Sequence, residues 1–166
     1  MINLGYKGAG CLVFHYDTKT HRVSVLLGKR QSGLGAGEWS IAGGGWEKRD
    51  GLTPKGKINF KKTATRELYE ELFLRTPKDY TLNKIWSVHF PFFDFEVYAI
   101  RLSKKKFLTR WAEFRKVAWF DINNLPKNTY SLVYKEIDGL INLLKKKGYK
   151  LAEGGEYGES RLYQPC

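Results

Sequence analysis

The chain has 166 residues, 42% hydrophobic and 28% charged, with 29 Lys and Arg against 17 Asp and Glu for a formal charge of +12. That length fits one domain with its own core; the absence of an apolar run of 18 residues excludes a membrane-spanning helix, and residues 1–10 lack the apolar stretch of a secretory signal. The positive field favours polyanionic partners such as nucleotides, nucleic acid or anionic lipid, the plainer alternative being a merely soluble basic surface. Residues 8–16, GAGCLVFHY, and 21–30, HRVSVLLGKR, predict two strands joined by a turn at DTKT. Gln31 to Trp39 is a Gly-rich loop, followed by a short apolar piece and Gly43, Gly44 and Gly45. Residues 47–58 are polar, contain two glycines and a proline, and read as loop. Over 59–73 the pattern turns helical: Phe60, Ala64, Leu68 and Leu72 recur at every fourth position, and Asn59 suits the N-cap. Two β-rich runs, NKIWSVHF and FDFEVYAIRL, flank Pro91, and 113–122 is a further strand. Residues 131–148 predict a second helix that buries Val133, Ile137, Leu140, Ile141 and Leu144; its terminal lysines suit the negative pole and Gly148 can cap it. Strands interrupted by one helix and closed by another predict an α+β fold, α/β/α layered, around a mixed sheet. The domain is expected over 1–150, with 151–166 a flexible Gly/Glu-rich tail. Cys11 lies in an apolar run and Cys166 ends the chain, so no disulfide framework is expected and the cytoplasm is the default location.

In this basic chain, TATRELYEELFL (63–74) gathers Arg66, Glu67, Glu70 and Glu71 into six residues. On a helix Glu67 lies i,i+3 to Glu70 and i,i+4 to Glu71, so all three lean toward one side and repel. A hard divalent cation with oxygen ligands converts that repulsion into coordination. Arg66, i,i+4 to Glu70, can orient a carboxylate. The bland reading is a solvated acidic face with one helical salt bridge. Upstream, GAGEWSIAGGGWE is a glycine-rich turn whose backbone can approach a metal or a phosphate.

These segments resemble the Nudix hydrolase family. Its signature is a glycine, five residues, a glutamate, seven residues, then Arg-Glu-apolar-x-Glu-Glu-x-Gly-apolar. RELYEELFL (66–74) matches the second half, with Phe73 at the glycine position. Gly44 matches the first glycine, but it lies 22 positions before Arg66 where the pattern has 14, which implies an eight-residue insertion within 48–58. Eight residues before Arg66 stands Ile58, so the first signature glutamate has no counterpart there. VLLGKRQSGLGAGEWSIAGGGWE looks like the MutT-like, nucleotide-sanitising branch, and EFRKVAWFDINNLP resembles a downstream strand of the family.

The resemblance, spanning roughly 8–148, implies a Nudix-like fold with a mixed central sheet, a catalytic helix and a C-terminal helix. It implies Mg²⁺- or Mn²⁺-dependent hydrolysis of a nucleoside diphosphate linked to another group, foremost a nucleoside triphosphate cut to monophosphate and pyrophosphate. By the same carry-over Glu67, Glu70 and Glu71 would be metal ligands with the Gly43 carbonyl, and Arg66 would steady a carboxylate. Glu113 would be a further ligand or general base, with Glu96 a weaker candidate. Lys29 and Arg30 are placed to reach phosphates, Gly44 to meet substrate, and Trp39, Phe90, Phe92 and Phe93 to stack a base; surface charge and core packing are the respective alternatives. The basic insertion could steer polyphosphate or grip a larger anion. Other readings are a Nudix enzyme for dinucleoside polyphosphate, ADP-ribose, nucleotide sugar or capped RNA, and an inactive domain that binds nucleotide or RNA. A nucleotide is the expected partner, nucleic acid a secondary one, a membrane none, and a homodimer is admissible.

Overall fold

The computed structural model describes residues 5–76, 80–108 and 111–153. Its centre is β1 (Tyr6–Tyr16), buried without a break from Gly8 to Phe14. A strand buried on both faces needs cover on both. Leu12, Phe14 and Tyr16 enter one core with Val133, Ile137, Leu140 and Leu144 of α2 (Ser131–Lys146). Ala9, Cys11 and Val13 point the other way, into a core with Ala64, Leu68 and Leu72 of α1 (Phe60–Leu72). The result is the layered α+β arrangement expected, with one helix on each face of a seven-stranded mixed sheet. Cys11 is a free, buried thiol, and burial pushes it up to about 12.

Along one edge β1 runs parallel to β6 (Phe93–Arg101), which pairs in turn with β5 (Asn83–Phe90). Its other edge is divided. Val13–Tyr16 pair with β2 (Val23–Arg30), whereas Gly8–Cys11 pair with β4 (Ala42–Gly45). The end of β2 meanwhile takes β3 (Trp39–Ser40), with β7 (Phe114–Asp121) on its far edge. So β1 and β2 start together and then fork, and the chain from Trp39 to Gly45 fills the fork. This fork positions the site.

Local chemistry sets the ends of α1. The Asn59 side chain accepts from the Lys62 amide at 3.3 Å, satisfying an orphan donor of the first turn. The helix stops at Phe73, which takes the left-handed conformation at φ 52° and donates its amide to Tyr69. That conformation explains the family preference for glycine there.

Residues 151 and 152 are tied to the domain. The Ala152 amide donates to the His21 carbonyl at 2.9 Å, and Leu151 packs against the α2 core. Residues 154–166, including Cys166, lie outside the described residues.

Candidate active site

Arg66 organises the acidic helix. Its Nε and Nη2 donate to Asp50 Oδ1 and Oδ2 at 2.8 and 3.1 Å, and Nη2 also donates to the Gly45 carbonyl at 2.6 Å. Its Nη1 donates to Glu67 Oε1 and Glu70 Oε2, both at 2.8 Å. Surrounding carboxylates hold the guanidinium charged far above any working pH, Asp50 first among them.

Asp50 corrects the reading of the insertion. It is only 3% exposed. Burial alone would raise its carboxyl, but hydrogen bonds from Arg66, the Glu47 amide and Thr63 hold it below the usual range. It closes a single 3₁₀ turn at Lys48–Asp50. Counted forward from Gly44, Asp50 follows after five residues, the signature's own spacing. The first acidic position is therefore filled, by aspartate, and the extra length falls between Asp50 and Arg66. There Leu52 bridges Ile58 in a small hairpin. Counting forward from the glycine, rather than back from the arginine, would have found it. Within the basic stretch, Arg49 is committed to Glu47 and Glu70 at 2.7 and 2.8 Å.

Glu71 lies on the sheet side of α1, at 2% exposure. Its Oε2 accepts from the Gly43 amide at 2.8 Å. Its Oε1 makes no hydrogen bond and lies 4.0 Å from Arg30 Nη1. Burial, with Glu113 adding to it, pushes Glu71 up to about 8. Glu67 is also raised, mainly by burial and further by Glu70 and Glu113. Glu113 is itself held at φ 61°, an uncommon conformation for a non-glycine residue, just before β7. A Cβ at 44 would stand 2.5 Å from Glu67 Oε1, so a side chain there would displace that carboxylate. Glu96 lies elsewhere, bonded to Tyr98 and Lys84.

Glu113 lines a cleft of about 690 Å³ in the fork, whose walls also include Tyr6, Arg30, Ser40, Phe93 and Glu136. Arg30 bonds Ser40 Oγ through Nε at 2.9 Å and leans toward Glu71 at 4.0 Å. Tyr6 stacks on Phe93 and Phe95 at 5.4 and 6.4 Å, making an aromatic wall. Gly43 and Gly44 line the same cleft. Three sequence expectations fall outside it. Trp39 is buried in the α2-side core, edge-on to Phe120 at 4.7 Å, so no base can stack on it. Phe90 and Phe92 are exposed at the β5–β6 turn, away from the cleft. Lys29 is paired between β3 and β7 and is not a lining residue. Of the aromatics proposed from sequence, Phe93 alone lines the cleft.

Among the described residues no three His, Cys, Asp or Glu side chains form a ready-made cation cage. Arg66 and Arg49 have drawn Glu67 and Glu70 to themselves. The donor set nevertheless fits a hard divalent ion. It is all oxygen, and Glu71 Oε1 is buried without a hydrogen-bond partner among the described residues.

The NUDIX domain model matches residues 7–138, most of the chain. The chain belongs to the Nudix family, and its class is that of hydrolases acting on pyrophosphate bonds. No curated protein matches. Solved structures with the same fold include the NUDIX domain of Shewanella oneidensis NrtR complexed with ADP ribose, at 16% identity and TM-score 0.65, covering 84% of this chain and 88% of that one. A C. elegans Ap4A hydrolase binary complex is 14% identical at TM-score 0.60, covering 84% and 99%. A MutT/nudix family protein from Enterococcus faecalis is 14% identical at TM-score 0.63; it covers 86% of this chain, which spans only 62% of that protein's length. No described helix is long and apolar enough to cross a membrane.

Proposed function

We propose that the chain is a MutT-like pyrophosphohydrolase that cuts a nucleoside triphosphate to monophosphate and pyrophosphate. The observation that carries this reading is the buried Glu71 carboxyl, raised by burial and by Glu113, with Glu113 itself lining a nucleoside-sized cleft. Glu67, Glu70 and Glu71, with the Gly43 carbonyl, would hold Mg²⁺ or Mn²⁺. Such an ion supplies neutralisation of the diphosphate charge that grows in the transition state. Asp50 and Gly45 occupy Nε and Nη2 of Arg66, so the arginine stays seated when Glu67 and Glu70 serve as ligands. Glu113 positions the attacking water and takes its proton as the oxygen bonds to phosphorus; the bridging P–O bond breaks and pyrophosphate leaves. Arg30 lies between the carboxylates and Ser40, where it meets the phosphates as they enter.

A second reading, cleavage of ADP-ribose or a dinucleoside polyphosphate, is favoured by two similar structures, one complexed with ADP ribose and one an Ap4A hydrolase. Incubation with Mg²⁺ and a nucleotide panel separates the two. Pyrophosphate released from triphosphates supports the first, and turnover confined to other diphosphates supports the second. No turnover with any divalent metal, alongside salt-sensitive RNA binding, overturns both.

A further inference from the structure

Glu136 has no part in the chemistry above. It lies on α2, in register with Val133 and Leu140 of the buried stripe, and is 3% exposed. It lines the same cleft as Glu113 and Arg30. Its Oε2 is buried without a partner, and among the described residues the side chain makes no hydrogen bond or ion pair. The cation that acts on it, Arg30, already bonds Ser40 and leans toward Glu71. A carboxyl in such a place costs stability unless something else satisfies it. Ile137, its neighbour in sequence, is an ordinary core residue, so burial alone does not call for an acid here.

We propose that Glu136 is the base-reading residue of the cleft and that it reads a 6-substituted purine, through an edge presenting a hydrogen-bond acceptor beside an N–H donor. This rests on the proposed nucleotide hydrolase reading and names its base. A buried carboxyl without a donor or a dedicated cation is held more cheaply in the neutral form. Burial indeed raises Glu136 to about 8, with Arg30 working against the shift. A neutral carboxyl offers one donor and one acceptor side by side, the complement of adenine N1 and its 6-amino group. Guanine O6 and N1–H offer the same acceptor beside a donor, whereas a purine without a 6-substituent offers N1 alone. Tyr6, Phe93 and Phe95 supply the aromatic wall on which a purine stacks, in the same cleft as Glu136.

Binding of nucleoside monophosphates without metal, measured by calorimetry, tests this apart from turnover. Wild type should bind AMP and GMP at least tenfold more tightly than purine riboside monophosphate, which has no 6-substituent. Glu136→Gln, whose amide keeps a donor beside an acceptor, should retain that preference within about threefold. Glu136→Leu should abolish the preference while thermal melting shows the variant folded. Equal affinity for all three nucleotides, or loss of the preference in the Gln variant, overturns the base assignment while leaving the nucleotide reading standing. Failure of every nucleotide to bind overturns both.

Discussion

Arg66 grips Asp50 through two parallel hydrogen bonds, Nε to Oδ1 at 2.8 Å and Nη2 to Oδ2 at 3.1 Å, across sixteen positions of chain. The pair ties the glycine-rich turn to the acidic helix and leaves one Arg66 nitrogen for Glu67 and Glu70. Asp50→Ala removes the fork-to-fork contact and the cap of the 3₁₀ turn. It should lower stability by about 2 kcal/mol in denaturant melts and cut turnover more than tenfold. An unchanged midpoint would show that the pair is incidental.

Glu70→Gln and Glu71→Gln should each reduce turnover by two or more orders of magnitude with far-ultraviolet dichroism unchanged. Glu113→Gln should lower kcat with less effect on metal affinity, as expected of a proton acceptor. Near-normal rates in both helix variants would disprove the site.

The raised carboxyls of Glu71 and Glu136 set the pH dependence of the metal-free protein. Below about 4.5 both are protonated in the folded and unfolded chain, and burial costs nothing extra. Between about 4.5 and 8 the unfolded chain ionises while the folded one keeps its protons, so stability falls as pH rises through that window and levels off above it. Melting temperature without metal should therefore be lower at pH 8 than at pH 5.5, and Glu136→Gln should shrink the difference. Equal melting temperatures would show that the two groups titrate normally.

Phe73 should reverse the usual order of alanine and glycine. Both truncations lose the ring contact with Tyr69, but only glycine takes φ 52° without strain. Phe73→Gly should be more stable than Phe73→Ala by about 1 kcal/mol, read from urea melts. The ordinary order, alanine above glycine, would show that the helix end rearranges.

Gly139 places α2 directly against the backbone of β5. A Cβ there would meet the Ile85 carbonyl at 2.2 Å. Gly139→Ala should cost about 1–3 kcal/mol despite the better helix propensity of alanine. A stability gain would mean that the helix can lift from β5.

Periodicity in the sequence conveyed the layers well. The four-residue spacing of Phe60, Ala64, Leu68 and Leu72 and the unbroken apolar run of β1 each translate directly into a buried face. Gly43, Gly44, Arg66, Glu67, Glu71 and Glu113 converge because their spacing relative to a helix and two strands survives folding. Trp39 and Phe90 misled because an aromatic side chain packs as readily into a core or a turn as onto a ligand, and only the tertiary fork distinguishes these outcomes. Asp50 was hidden by an insertion that shifted it out of step with Arg66. Glu136 left a readable mark, an acid at a stripe position between Val133 and Leu140, but an unpaired buried oxygen is visible only in three dimensions.

The hairpin between Asp50 and the start of α1 is sealed at its base. The Asn59 amide reaches the Gly51 carbonyl at 3.3 Å, and Leu52 pairs with Ile58 just inside it. The segment above that seam hangs outside the Arg66 clamp. Evolution could lengthen or trim it without disturbing the acids below, and an engineer could graft a reporter peptide at Pro54–Lys55 by the same logic.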